Sequence, residues 1–189
     1  FTVDSPLSVE RIKTGINAFL PEDIVVVHAR NVTSGFHSRF DALSKVYRYT
    51  ILNRPDRPVL DRTSVYFCSF PLHVKRMQEE AQVLKGKHDF SAFRASGSSA
   101  KDSVRSIKRI EVRKKNDRIT IDIEADGFLY AMARTIAGTL IDIGRGKLPA
   151  GSMKAILMAR NRCAAGFTAP AHGLCLMRVF YRKIRGVRR

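Results

Sequence analysis

The sequence predicts an α+β fold, a largely antiparallel sheet with helices packed on one face, and three observations carry that reading. Residues 104 to 125 read as a hairpin with one wet face, because Ile119, Ile121, Ile123 and Ala125 alternate strictly with Arg118, Thr120, Asp122 and Glu124 after an Asn116-Asp117 turn. From Asp126 to Gly146 the residues Leu129, Met132, Ala133, Ile136, Leu140 and Ile143 recur at three- and four-residue steps, the period of a helix with a broad buried face. The remaining strand-like runs have helical patterns between them, and no short-period repeat occurs.

The first element in the chain is a helix. Ser5 serves as its N-cap and Pro6 as its first helical residue, Leu7, Ile12, Ile16 and Phe19 or Leu20 form a buried stripe, and Pro21 ends it. Ile24 to Val32 reads as a strand that Ser34-Gly35 breaks. Tyr47, Tyr49 and Ile51 then alternate with Arg48, Thr50 and Leu52, so both tyrosines face one side of a strand. After the turn-rich NRPDRP come a strand from Thr63 to Phe70 and an amphipathic helix with Val74, Met77, Ala81 and Leu84 on one face and Gly86 at its C-terminus. Lys87 to Ser99 reads as a short structured corner leading into a Gly/Ser-rich loop.

The hairpin strands run from Val104 to Lys115 and from Arg118 to Ala125, with Ile119, Ile121, Ile123 and Ala125 facing inward. The helix of Asp126 to Gly146 follows, then a GRGKLP turn, a helix that Ser152 opens with Met153, Ile156 and Leu157 inward, and an apolar strand from Leu174 to Tyr181. One helix and one strand cannot bury themselves, so residues 1–35 read as the end of a first α/β subdomain. Residues 36–181 read as a second subdomain and 182–189 as a basic tail.

Composition narrows the function. Lys and Arg total 34 against 17 Asp and Glu, a formal charge of +17, which favours a polyanionic partner. The charge is concentrated in residues 105 to 118 and in the tail from Arg182. Because the basic residues alternate with strand-like apolar ones and form no amphipathic basic helix, nucleic acid is favoured over a membrane surface. No apolar run approaches the roughly 18 to 20 residues that span a bilayer, and a soluble, cytoplasmic protein is expected. Cys68, Cys163 and Cys175 form no C-x-x-C pair, and His28, His37, His73, His88 and His172 have no ligand spacing. Neither a metal nor a nucleotide cofactor is expected.

Two features remain to carry chemistry. Arg134 lies in the apolar helix with Tyr130, Ala131, Ala137 and Gly138 as its three- and four-residue neighbours, none of them marking a solvent face. Burying a guanidinium unpaired costs several kcal/mol or more, so a carboxylate, a phosphate or an opening to solvent is required; an arginine paired only for structure fits the pattern equally. The Tyr47 and Tyr49 pair fits core packing, and it also fits stacking on an unpaired RNA base. Spacing does not decide between them.

The stretches INAFLP at 16 to 21, FHSRFDALSKVYRYTI at 36 to 51, DFSAF at 89 to 93, VRSIKRIEV at 104 to 112, DGFLYAMARTIAGTLIDIGRGKLP at 126 to 149 and HGLCLMRVFY at 172 to 181 resemble, in order, the A-type tRNA pseudouridine synthases that act on the anticodon arm. The resemblance implies a pseudouridine synthase-like fold, a tRNA substrate, a homodimer, and an isomerase that detaches uracil from ribose and rejoins it through carbon without metal or cofactor. It implies that Tyr47 lines the uridine pocket and that Arg134 pairs with the catalytic aspartate. Gly173 and Leu174 resemble the segment that closes the pocket behind the base, with Cys175 where many members carry an aromatic residue. Arg39, Tyr49, Phe128, Arg105, Lys108 and Arg109 complete the expected substrate-binding set.

One departure bears on activity. The family's aspartate lies in a G-R-T-D-A-G-V-H motif that does not occur in this sequence, and Asp4, Asp41 and Asp126 are not in that context. The motif is expected upstream of Phe1, and the chain alone is expected to lack activity. The alternative is a non-catalytic basic RNA-binding module; a basic ribosome- or DNA-associated structural protein explains the charge but not Arg134.

Overall fold

The computed structural model describes residues 2–97 and 100–182. The basic tail beyond Arg182, and Ser98 and Ser99 of the Gly/Ser-rich loop, lie outside the described residues. The chain divides into one unit that runs up to Asp41 and a second, Ala42–Arg182.

The described part of the first unit holds one helix, α1 (Val9–Phe19). It starts later than the Ser5-Pro6 signal predicts, because Ser8 is the N-cap and its side chain accepts the backbone N–H of Arg11 at 3.4 Å. The expected buried stripe does not form: no residue of α1 is buried, and Phe19 is 92% exposed. The predicted strand from Ile24 to Val32 has no ladder either. Val26 instead exchanges two hydrogen bonds with the Asn17 side chain, at 2.8 and 3.0 Å. One helix and an unpaired segment offer no second layer to close on, as a helix stripe or a strand requires.

In the second unit β1 (Ala42–Asn53) is the central strand. On one side it pairs antiparallel with β5 (Arg118–Ala125), from Lys45 to Leu52. Its other side is shared: β6 (Leu174–Tyr181) pairs antiparallel with Ala42 to Tyr49, and β2 (Tyr66–Cys68) pairs parallel with Ile51 to Asn53. Beyond β5 lie β4 (Val104–Lys115) and then β3 (Gly86–Asp89), giving an open six-stranded sheet in which only the β1 and β2 pair is parallel.

The helices α2 (Val74–Gln82), α3 (Met132–Gly144) and α4 (Ser152–Ala159) pack against one another and cover the sheet face onto which Ile51, Ile110, Val112, Ile119, Ile121 and Ile123 project. Ile119, Ile121, Ile123 and Ala125 are all buried, as the strict alternation requires. The Glu80 carboxylate on α2 accepts the backbone N–H groups of Gly151 and Met153, which caps the start of α4. On the helix-free face the register aligns Arg48, Asp122 and Glu111 in one row across β1, β5 and β4. Arg48 forks onto Asp122 at 2.6 and 2.7 Å.

Four boundaries depart from the sequence reading. β2 is shorter than Thr63 to Phe70, because a turn on the Asp61 carbonyl, which accepts the N–H groups of Ser64 and Val65, takes up the residues before it. α2 stops at Gln82, and Gly86, with φ of 107°, opens β3 rather than ending the helix. β3 itself falls in what reads as a corner, since Gly-Lys-His-Asp has no apolar alternation. α3 begins at Met132, six residues after Asp126, because the chain must turn out of β5 before it can enter a helix.

Candidate active site

That turn builds the site. Asp126 closes it by bonding Ser106 twice, N–H to the Ser106 carbonyl at 3.1 Å and carboxylate to the Ser106 N–H at 2.9 Å. Ala131 holds a left-handed conformation, φ of 57°, immediately before α3. A non-glycine residue there is strained by about 1–2 kcal/mol, so the surrounding contacts must impose it. The bend carries Phe128 edge-on against Tyr47, with ring centroids 4.8 Å apart. Tyr47 is half-buried.

The two tyrosines of β1 have different fates although they share a face. Tyr49, one strand repeat or about 6.6 Å from Tyr47, is 1% exposed, and its hydroxyl donates to the Pro170 carbonyl at 2.9 Å. Burial pushes its phenol pKa up, Tyr66 adds to the rise and Arg134 opposes it. With no open ring face, Tyr49 cannot stack on a base and belongs to the core. Gly173 explains how the chain passes it: a Cβ there would stand 2.7 Å from the Tyr49 ring. Leu174 follows, in register with Tyr49, and Leu176 is in register with Tyr47.

Arg134 lies in the first turn of α3 and is half-buried. Its Nε–H donates to the Ala169 carbonyl at 2.6 Å, and the Ala169 N–H donates back to the Arg134 carbonyl at 3.1 Å. Among the described residues no carboxylate forms an ion pair with it. Among those residues the guanidinium has one neutral side-chain partner, and its two terminal nitrogens remain as donors. No sequence signal marks the Ala169 and Pro170 carbonyls as partners of Arg134 and Tyr49, since backbone atoms leave no trace in composition. The glycine inside the apolar helix is the available clue, because Gly138 costs about 1 kcal/mol against alanine unless another backbone must approach.

The basic candidates disperse. Arg105 donates to the carbonyls of Asp102 and Val104 and lies beside Gly127, at 3.2 Å from where a Cβ would be. Lys108 reaches the Leu43 carbonyl at 3.4 Å. Arg109 is engaged by Glu111, which also holds Arg113, so part of the 105 to 118 charge is neutralised within the sheet. Glu111 is held below its ordinary range, first by the Arg109 hydrogen bond. Arg39, in the first unit, lies over the Phe40 ring, 5.7 Å from its centroid. Among the described residues no group of three or more His, Cys, Asp or Glu side chains is placed to hold a metal ion, and no helix is long and apolar enough to cross a membrane.

An open, mostly antiparallel sheet with helices on one face is an α+β architecture of the pseudouridine synthase-like kind. A family model described as tRNA pseudouridine synthase matches residues 81–182. The chain is 42% identical over 181 residues to tRNA pseudouridine synthase A 2 of Clostridium tetani, covering 96% of this chain and 73% of the relative. It is 44% identical over 182 residues to tRNA pseudouridine synthase A of Bacillus pumilus, covering 94% and 73%. To the protein of the same name from a Thermoanaerobacter species it is 41% identical over 181 residues, covering 96% and 74%. The chain belongs to the tRNA pseudouridine synthase family.

Proposed function

We propose that this protein is the uridine-handling part of an isomerase that converts uridine to pseudouridine in the anticodon stem-loop of tRNA. The observation that carries the reading is Arg134, a part-buried guanidinium that has one neutral partner and no carboxylate among the described residues, in a chain of this family. In the reaction the bond from ribose to the uracil nitrogen breaks and one to a ring carbon forms, while the hydrogen of that carbon is replaced by one on nitrogen. Atoms and electrons balance without a co-reactant.

The extruded uridine packs against Tyr47, whose ring is braced by Phe128, with unstacking offset by those contacts. Arg134 pairs with the catalytic carboxylate, keeps it ionised through opposite charge and sets its orientation. Leu174 and Gly173 close the base pocket, and the tRNA is held through its phosphates by the basic surface. The family resemblance supports a cytoplasmic homodimer as the working form.

The experiment is single-turnover pseudouridine formation on an anticodon-arm tRNA. It compares the chain as it stands, the chain extended upstream through the expected aspartate motif, and Arg134→Ala in whichever form turns over. Loss of turnover in Arg134→Ala with tRNA affinity within a few-fold is expected. Retained turnover removes Arg134 from the site. Binding without turnover in both unsubstituted forms favours the RNA-binding module.

A further inference from the structure

The direction of the Arg134 fork is decided by where the Ala169 carbonyl stands, because Nε is the atom that is fixed and the terminal nitrogens project from it. Ala169 lies in a strap, residues 166–170, with no regular secondary structure of its own. Its own N–H bonds the Arg134 carbonyl at 3.1 Å and the next carbonyl, of Pro170, accepts the Tyr49 hydroxyl at 2.9 Å, which ties the end of the strap and leaves the residues before Ala169 to be held separately.

A second arginine ties those preceding residues. Arg162 donates through one terminal nitrogen to the Gly166 carbonyl at 3.0 Å and through the other to the Thr168 hydroxyl at 2.9 Å. The Thr168 hydroxyl in turn lies 3.3 Å from that of Thr135, the residue after Arg134 on α3. The other end of the strap is tied to the same helix, since the Gly166 N–H donates to the Thr139 hydroxyl at 3.0 Å and that hydroxyl donates to the Thr135 carbonyl at 2.8 Å. Arg162 forms no ion pair among the described residues, so its charge neutralises nothing. It strengthens two bonds to neutral acceptors, and a planar fork fixes their relative geometry in a way that an ammonium does not.

We propose that Arg162 and Thr168 are positioning residues, which aim the Arg134 guanidinium by fixing the strap against α3; this rests on the reading of Arg134 given above. Removing the Thr168 hydroxyl unties the fork from the helix one residue before Ala169 and lets the Arg134 partner drift.

The test reads Arg134 directly. In the 189-residue chain, exchange of the Arg134 Nε proton with water is followed by nitrogen-resolved NMR. Thr168→Val is expected to speed it about tenfold, the weight of one hydrogen bond, whereas Thr168→Ser keeps the wild-type rate. Arg162→Lys, which keeps the charge and loses the fork, behaves like Thr168→Val. In the form that turns over, the single-turnover rate falls by about the same factor while the Kd for tRNA is unchanged. Unchanged Nε exchange in Thr168→Val, wild-type exchange in Arg162→Lys, or a loss that falls on Kd alone overturns the proposal. If Arg134→Ala keeps its turnover, the functional reading of Arg134 fails, while the exchange rates still decide whether the strap aims it.

Discussion

The Cβ that Gly138 lacks would stand 1.8 Å from the carbonyl oxygen of Phe167. At that distance the obstacle is backbone, with no flexible end to swing aside, so the strap crosses α3 only because this helix position is glycine. The contact accounts for the close seating of the strap beside Arg134, two residues before Ala169.

Gly138→Ala is accordingly expected to cost more than the roughly 1–3 kcal/mol typical of overpacking, despite the better helix propensity of alanine. Urea denaturation of the two chains measures it. A stabilised variant would mean that the strap seats elsewhere.

The Tyr49 phenol is raised by burial, so its folded-state pKa exceeds the ordinary value of about 10. The group then contributes stability that is fully present below about pH 10 and is lost as the pH rises through the folded value. Tyr49→Phe is expected to lose the bond to Pro170, a deficit of about 1 kcal/mol near neutral pH, and to flatten the alkaline fall in stability. Denaturation midpoints across the alkaline range check both, and a fall as steep as that of the parent chain would assign the linkage to another group.

Glu80 satisfies two backbone N–H groups at the start of α4 and is itself buried. Glu80→Ala leaves both donors without that partner, and about 1–3 kcal/mol of stability should be lost. Amide hydrogen exchange at Met153 should rise more than at Ile121 in the sheet. Equal changes at the two sites would mean that Glu80 supports the whole unit rather than the helix start.

Lys114 and Lys115 are exposed near the end of β4, whereas the Arg109 charge is shared with Glu111. Replacing both lysines by alanine should reduce the salt slope of tRNA binding by as much as about 2, and Arg109→Ala should change it less. A larger change from Arg109→Ala would move the phosphate contacts towards the Arg109 end of β4.

The β4 and β5 hairpin was legible from the Asn116-Asp117 turn back to Arg109, because a period of two with β-branched residues on one side sets the register there, whereas the register shift between Ile107 and Arg109 left no mark in the pattern. The apolar period of α3, the inward face of α2 and the family motifs were legible for the same kind of reason: each is carried by neighbours within a few turns of chain. Sequence also singled out Arg134, since one cation in an apolar helix violates the local pattern. It could not separate Tyr47 from Tyr49, which alternation places on one face; burial parts them, because Gly173 and the strap cover one ring and leave the other half open. Nor could it foresee α1 without a buried face, since whether an apolar stripe is covered depends on what packs there and not on the stripe. The partner of Arg134, the Ala169 carbonyl, lies 35 residues away along the chain, and only the tertiary structure brings it within hydrogen-bonding distance; the partners of Arg162 are four and six residues on, but a backbone carbonyl and a threonine hydroxyl in an irregular strap leave no periodic signal.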